Sequence, residues 1–131
     1  MSASRVVIWR REMIDDNVAA QLSTLEIKRD RTMADLDAVQ AAGQSVQKSM
    51  AHFQARQNGL HEQYLTQLEA DDLPETARLT LYREWNEAFA LSIEEFNALA
   101  AERERLHMQE IILVRMLAEL DYQIKALRER F

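Results

Sequence analysis

Apolar side chains recur at alternating steps of three and four residues along two long stretches of the chain. In the first stretch these steps select Val18, Leu22, Leu25, Arg29, Thr32, Leu36, Val39, Gly43, Val46, Met50, Phe53, Gln57, Leu60 and Tyr64. In the second they select Trp85, Phe89, Ser92, Phe96, Leu99, Arg103, Leu106, Glu110, Leu113, Leu117, Leu120, Ile124, Leu127 and Phe131. Such a repeat, held over about six heptads, is typical of helices that supercoil around each other. The pattern predicts two long helices that pack along these two sets of positions, which we call the seam stripes.

The segment between the stripes carries the only proline, Pro74. We expect Asp72 to cap the second helix, Pro74 to lie in its first turn, and Glu75 to favour its positive end. A short connection makes neighbouring helices antiparallel. The sequence therefore predicts an all-α fold, a long antiparallel two-helix coiled-coil hairpin forming one domain over residues 1–131. Helix 1 is expected at about 5–71, the turn at about 72–74 and helix 2 at about 75–131.

A reversal at this turn predicts which residues face each other, because paired residue numbers should then sum to about 145–146. Leu60 would face Trp85, and Met50 would face Phe96. Gly43 would lie opposite Arg103, where it either makes room for the arginine stem or merely softens the helix. The charged seam residues Arg29 and Glu110 would be too far apart to pair directly and are expected to reach out to solvent.

The composition excludes several classes of function but does not indicate a particular one. The net charge of −6 disfavours phosphate binding, so no nucleic-acid partner is expected. Without cysteine no thiolate zinc site is possible, and the three histidines lack the spacing of a helical metal site. No catalytic motif is present, so we expect no enzyme, no cofactor and no metal. The apolar runs at 6–9 and 111–114 are too short for a signal or a membrane span, which predicts a cytoplasmic protein without membrane insertion.

Residues 111–120 are apolar on more than one helix face, which exceeds what a two-stranded seam needs. Residues 1–14, also rich in apolar side chains, either extend helix 1 or fold back to cover Ile112 and Met116. Otherwise the surplus surface predicts a protein partner, or a homo-oligomer formed through residues 6–14 and 111–124.

The predicted turn is acidic, with the carboxylates Glu69, Asp71, Asp72 and Glu75. One interpretation is a capped, solvated turn. The other is functional: a hairpin with acids at its tip resembles the secondary-channel regulators of bacterial RNA polymerase, in which such acids can hold a catalytic magnesium.

The opening residues 5–12, an apolar run between arginines, together with the two heptad stretches, resemble the FliJ/YscO family of stalk proteins of type III secretion. The resemblance implies a non-enzymatic coiled-coil factor for protein transport that contacts a hexameric export ATPase and the export gate. It implies that the end of the hairpin where the termini meet enters the ATPase ring through Trp9, Arg10, Arg11, Ile112, Arg115, Met116, Arg128 and Arg130. The alternatives are a self-associating helical scaffold or adaptor, and a polymerase regulator with an acidic tip.

Overall fold

The computed structural model describes the backbone of residues 3–70 and 72–130, and the side chains of residues 15–70 and 72–130. It contains two α-helices, α1 over Ala3–Leu68 and α2 over Glu75–Arg128, and no strand within the described residues. The prediction of an all-α helical hairpin is confirmed. Because α1 is continuous from Ala3, residues 3–14 extend the first helix, and the idea that they fold back over α2 is wrong.

The chain divides into two compact units. Unit 1 comprises Met1–Gln40 and Met108–Phe131, and unit 2 comprises Ala41–His107. In unit 1 the two helices run antiparallel, as three contacts show: residues further along α1 contact residues at lower positions of α2. These contacts are Glu26 with Arg128 at 2.9 Å, Arg29 with Asp121 at 2.8 Å, and Gln40 with Glu110 at 3.4 Å.

Aromatic contacts show the same antiparallel order in unit 2. The ring centroids of Phe53 and Phe96 lie 5.9 Å apart, and those of Tyr64 and Trp85 lie 5.2 Å apart in a stacked arrangement. Arg56 donates a hydrogen bond to the Glu95 carboxylate at 3.0 Å and lies over the Phe53 ring.

The predicted register is wrong by one step along the seam. Phe53 contacts Phe96 and Tyr64 contacts Trp85, so paired numbers sum to 149 in unit 2, where Met50 was expected against Phe96 and Leu60 against Trp85. The helix ends do not account for the higher sum, because α1 ends at Leu68 and α2 begins at Glu75, and these two numbers sum to only 143. A shift of three or four residues keeps both seam stripes face to face, and only the pairing within them changes.

The start of α2 also differs from expectation. The backbone N–H of Arg78 donates to the carbonyl oxygen of Pro74 at 3.0 Å, and α2 begins at Glu75. Pro74 therefore occupies the N-cap position, where its missing N–H costs no hydrogen bond, and Asp72 lies two residues too early to be the cap. Glu75 is the acidic residue of the first turn, as expected.

The buried core follows the seam stripes closely. Its apolar members, together with one polar residue, are Leu36, Phe53, Leu106, Ile124, Leu127 and Thr32. By contrast Leu60 and Phe89, also seam positions, remain 46% and 48% exposed, so packing in unit 2 is thin between Phe53 and the Tyr64–Trp85 contact.

The contacts decide between the two interpretations of Gly43 and correct the expectation for Arg29 and Glu110. A Cβ built on Gly43 would meet no atom within 4 Å apart from the glycine, its chain neighbours and the adjacent backbone of its own helix, and Arg103 is exposed, so the glycine does not make room for that arginine. Arg29 and Glu110 do not simply extend into solvent. Each links the two helices of unit 1, Arg29 by its ion pair with Asp121 and Glu110 by accepting from Gln40.

Candidate protein-interaction surface

The two sides of the unit 1 seam differ in chemistry. On one side, α1 contributes Glu26, Arg29 and Gln40, whose spacing along the chain places them on the same face of the helix. These side chains reach Arg128, Asp121 and Glu110 of α2. We call this the bridged face, because polar contacts connect the two helices along it.

The other side of unit 1 is an open, largely apolar surface, which we call the open face. Its α1 border consists of six positions that advance by steps of three or four and so form one stripe beside the seam. Three consecutive grooves, with volumes of about 390, 520 and 360 Å³, lie along it. Their α1 lining includes Ala20, Thr24, Lys28, Arg31, Asp35 and Ala38, and their α2 lining includes Gln109, Ile112, Met116, Glu119, Leu120 and Leu127.

The middle groove combines an apolar floor with a basic rim. Met116 and Leu120 line it together with three cations, Lys28, Arg31 and Arg115, and a single carboxylate, Glu119. Among the side chains that the structure describes, the ion pairs are Arg29–Asp121, Arg56–Glu95, Arg105–Glu102 and Arg128–Glu26. The three cations of the groove take part in none of these, so a local positive charge stands out on a chain of net charge −6.

The structure brings together three of the predicted partner-binding residues. Ile112, Arg115 and Met116 all line the open face, and Ile112 and Met116 are 54% and 48% exposed. Arg128 belongs instead to the bridged face, where it pairs with Glu26, and Arg130 is exposed just after α2 ends. Trp9, Arg10 and Arg11 lie in α1, and their side chains are outside the described residues.

Sequence reasoning missed Lys28 and Arg31, which supply the α1 half of the basic rim. The available signal was the stripe of small and basic residues that runs beside the seam from position 20 to position 38. The stripe can be recognised as part of a basic groove only from the tertiary structure, in which it lies next to Arg115 and Met116, about 85 positions later in the chain.

Three of the four carboxylates of the acidic turn belong to the part of the chain that the structure describes. Glu69, Asp72 and Glu75 are exposed, and Asp71 lies outside the described residues. Over the portion of the chain that the structure describes, no group of three or more histidine, aspartate or glutamate side chains is arranged to hold a metal ion.

An ion pair on the surface of α2 shifts the pKa values of both its members. The Arg105 guanidinium donates a hydrogen bond to Glu102 at 2.9 Å, which lowers the pKa of Glu102 below its ordinary value, and the opposite charge adds to that effect. The same contact raises the pKa of Arg105. This pair lies one turn apart on the exposed surface of α2, where it supports the helix.

An aromatic cluster in unit 2 consists of His61 and Tyr64 on α1 and Trp85 and Phe89 on α2. Trp85 stacks on both Tyr64 and Phe89 with centroids 5.2 Å apart, and the His61 ring lies 5.7 Å from it. The Tyr64 hydroxyl is buried and has no hydrogen-bond partner among the described residues. The cluster contributes apolar contact between the helices at the thinly packed end of unit 2.

Comparison of the chain with protein-family models, with curated proteins and with solved structures found no match. None of the helices, as far as the structure describes them, is both long enough and apolar enough to cross a membrane.

Proposed function

We propose that this chain is a non-enzymatic coiled-coil protein-interaction factor, and that it serves as a central-stalk component of a type III secretion system. In that role it contacts the export ATPase and the export gate. The proposal joins the resemblance of the heptad layout and of residues 5–12 to FliJ/YscO proteins with the surface chemistry of unit 1.

The observation that carries the proposal is the open face. Ile112, Arg115 and Met116 were expected at a partner contact, and they lie side by side along grooves that the hairpin itself leaves unfilled. Ile112 and Met116 expose about half of their area, although the seam a few residues away buries Leu106 and Ile124. Contiguous exposed apolar surface with a polar border is typical of protein interfaces.

The test is direct binding between purified proteins. The full chain is immobilised, and the export ATPase and the cytoplasmic part of the export gate from the same bacterium are passed over it. We expect saturable binding of the ATPase that Met116→Glu weakens by about tenfold or more, since a charge placed in an apolar contact must be desolvated.

Val114→Glu is the matched control. Val114 is 49% exposed, close to Met116, but it lies on the helix stripe of the bridged face, four residues after Glu110. Val114→Glu should bind as the unsubstituted chain does. If neither the ATPase nor the gate binds a chain whose circular dichroism shows an intact helical fold, the stalk assignment is wrong.

A self-associating helical scaffold is the second candidate, because Met108, Ile112 and Met116 expose an apolar stripe that a second copy could cover. Sedimentation velocity over a hundredfold range of protein concentration separates the two functions. A tight dimer that Met116→Glu dissociates would favour the scaffold, whereas a monomer throughout the range would exclude it.

A further inference from the structure

We propose that the open face of unit 1 is a docking site for a single amphipathic helix with acidic flanks, supplied by a partner protein. The helix would lie along the seam as a third strand. This inference rests on the proposed role as an interaction factor and does not depend on the partner being a secretion ATPase.

The shape of the surface suits a helix. The three grooves follow one another from Ala20 to Val39 on α1, a span of about 28 Å at 1.5 Å per residue. They lie between two helices, and a third helix can place residues spaced by three and four into such a succession of depressions. Small residues on the α1 border, Ala20, Thr24 and Ala38, leave space for the side chains of that helix.

The opposite side of the seam explains why docking is confined to one face. On the bridged face, Arg29 pairs with Asp121 and Glu26 pairs with Arg128, and these side chains occupy the space beside the seam. A helix approaching there would have to break those contacts. On the open face, no ion pair among the described residues connects the two helices.

The charges around the middle groove indicate which kind of helix binds there. Lys28, Arg31 and Arg115 surround the middle groove, where Glu119 is the one carboxylate; with Asp35 of the neighbouring groove, the lining of the open face has three cations against two carboxylates. Carboxylates on the flanks of an incoming helix would meet these cations, and such complementarity selects the partner and its orientation. A second copy of the chain is disfavoured, because a two-fold axis through the middle groove would bring the two basic rims together, and like charges across an interface repel.

The experiment uses designed probes and the full chain. The first probe is a fluorescein-labelled peptide of 28 residues with leucine at heptad a and d positions and glutamate at the flanking positions. The second probe is identical except that lysine replaces glutamate. Mutual repulsion of the flanking charges keeps each probe from pairing with itself. Binding is followed by fluorescence anisotropy in 0.15 M and 0.5 M salt.

We expect the glutamate probe to bind about tenfold or more tightly than the lysine probe, and its binding to weaken in high salt. The double substitution Arg31→Glu with Arg115→Glu should reverse the preference between the probes. Met116→Glu should weaken the glutamate probe by about tenfold, and Val114→Glu should leave it within about twofold.

Three outcomes would overturn the inference. They are equal binding of both probes, equal effects of Met116→Glu and Val114→Glu, and a dimer of the free chain that Met116→Glu dissociates. Circular dichroism of each variant establishes that the helices are retained. If neither probe binds, the open face is not a docking site for an acidic helix. Binding to an export ATPase is measured separately, so each proposal can fail without the other.

Discussion

At the scale of single residues, the buried polar side chain of Thr32 makes its hydrogen bond within its own helix and not across the seam. Thr32 is 5% exposed in the middle of the α1 stripe, where a polar residue could bond to the other helix and so fix the register. Its hydroxyl instead donates to the carbonyl oxygen of Lys28 at 2.8 Å, one turn earlier in the same helix. The hydroxyl is satisfied locally, so Thr32 contributes burial and contributes no specificity between the helices.

We therefore predict that Thr32→Val raises the free energy of unfolding by about 0.5–1 kcal/mol, because a methyl group replaces a hydroxyl that makes no bond across the seam. The measurement is urea denaturation followed by circular dichroism. Thr24→Val is the matched control: Thr24 donates in the same way to Ala20 at 3.0 Å but is exposed, so its change should be near zero. A clear loss of stability in Thr32→Val alone would show that the hydroxyl acts across the seam.

Gly43 gives a second prediction at this scale. An added Cβ would meet no atom within 4 Å at Gly43 or at Gly59, and both residues lie inside α1. Gly43→Ala and Gly59→Ala should each stabilise the protein by about 1 kcal/mol through the lower flexibility of the unfolded chain. Thermal unfolding of both variants tests this. Destabilisation by Gly43→Ala beside stabilisation by Gly59→Ala would mean that the seam requires a gap at Gly43.

At the scale of the helices, the important result is how the register is chosen. Both seam stripes repeat every seven residues, so sliding one helix by a single step of three or four still places stripe against stripe. Large side chains distinguish these arrangements. In the observed one Phe53 meets Phe96 and Tyr64 stacks on Trp85, which pairs aromatic with aromatic at two places in unit 2.

A double-mutant cycle on Phe53→Ala and Phe96→Ala tests this register. We expect a coupling energy of about 0.5–1.5 kcal/mol, because the two rings are in contact across the helices. A cycle on Phe53→Ala and Phe89→Ala is the control, since Phe89 lies seven residues earlier on α2 and contacts Trp85 instead. Coupling in the second cycle and none in the first would place the helices in a different register.

At the scale of the whole molecule, side-chain burial is distributed unevenly along α2. Every residue from 86 to 91 on α2 is exposed, including Leu91 at 64%. From 110 to 120 the seam residues Glu110, Leu113 and Leu117 are all partly buried. Both segments belong to α2 and have the same backbone hydrogen bonding, so they differ in side-chain packing.

Hydrogen exchange measured by mass spectrometry should reveal this difference. We expect amides at 86–91 to exchange about tenfold or more faster than those at 110–120, after correction for intrinsic rates, because local opening exposes little new apolar surface there. A chain with uniform protection over both segments would show that the exposed stretch of α2 opens only together with the rest of the molecule.

Much of the fold could be predicted from the order of residues, because helix formation and the choice of a buried stripe are local properties. A heptad repeat fixes which side of each helix is apolar, and Pro74 marks where the second helix can start. The same reasoning indicated Ile112, Arg115 and Met116, since residues 111–120 carry more apolar surface than one seam can bury.

Only the tertiary structure decided the axial register, the position of the cap and the composition of the open face. Two periodic stripes fit together at several offsets of similar packing, and the choice depends on contacts such as Phe53 with Phe96, between residues 43 positions apart. In the observed offset Lys28 and Arg31 of α1 line the same groove as Arg115 of α2, although these residues lie far apart in the chain. Periodicity in one chain determines the direction in which a side chain points from its helix, whereas its neighbours on the other helix depend on how the two helices slide.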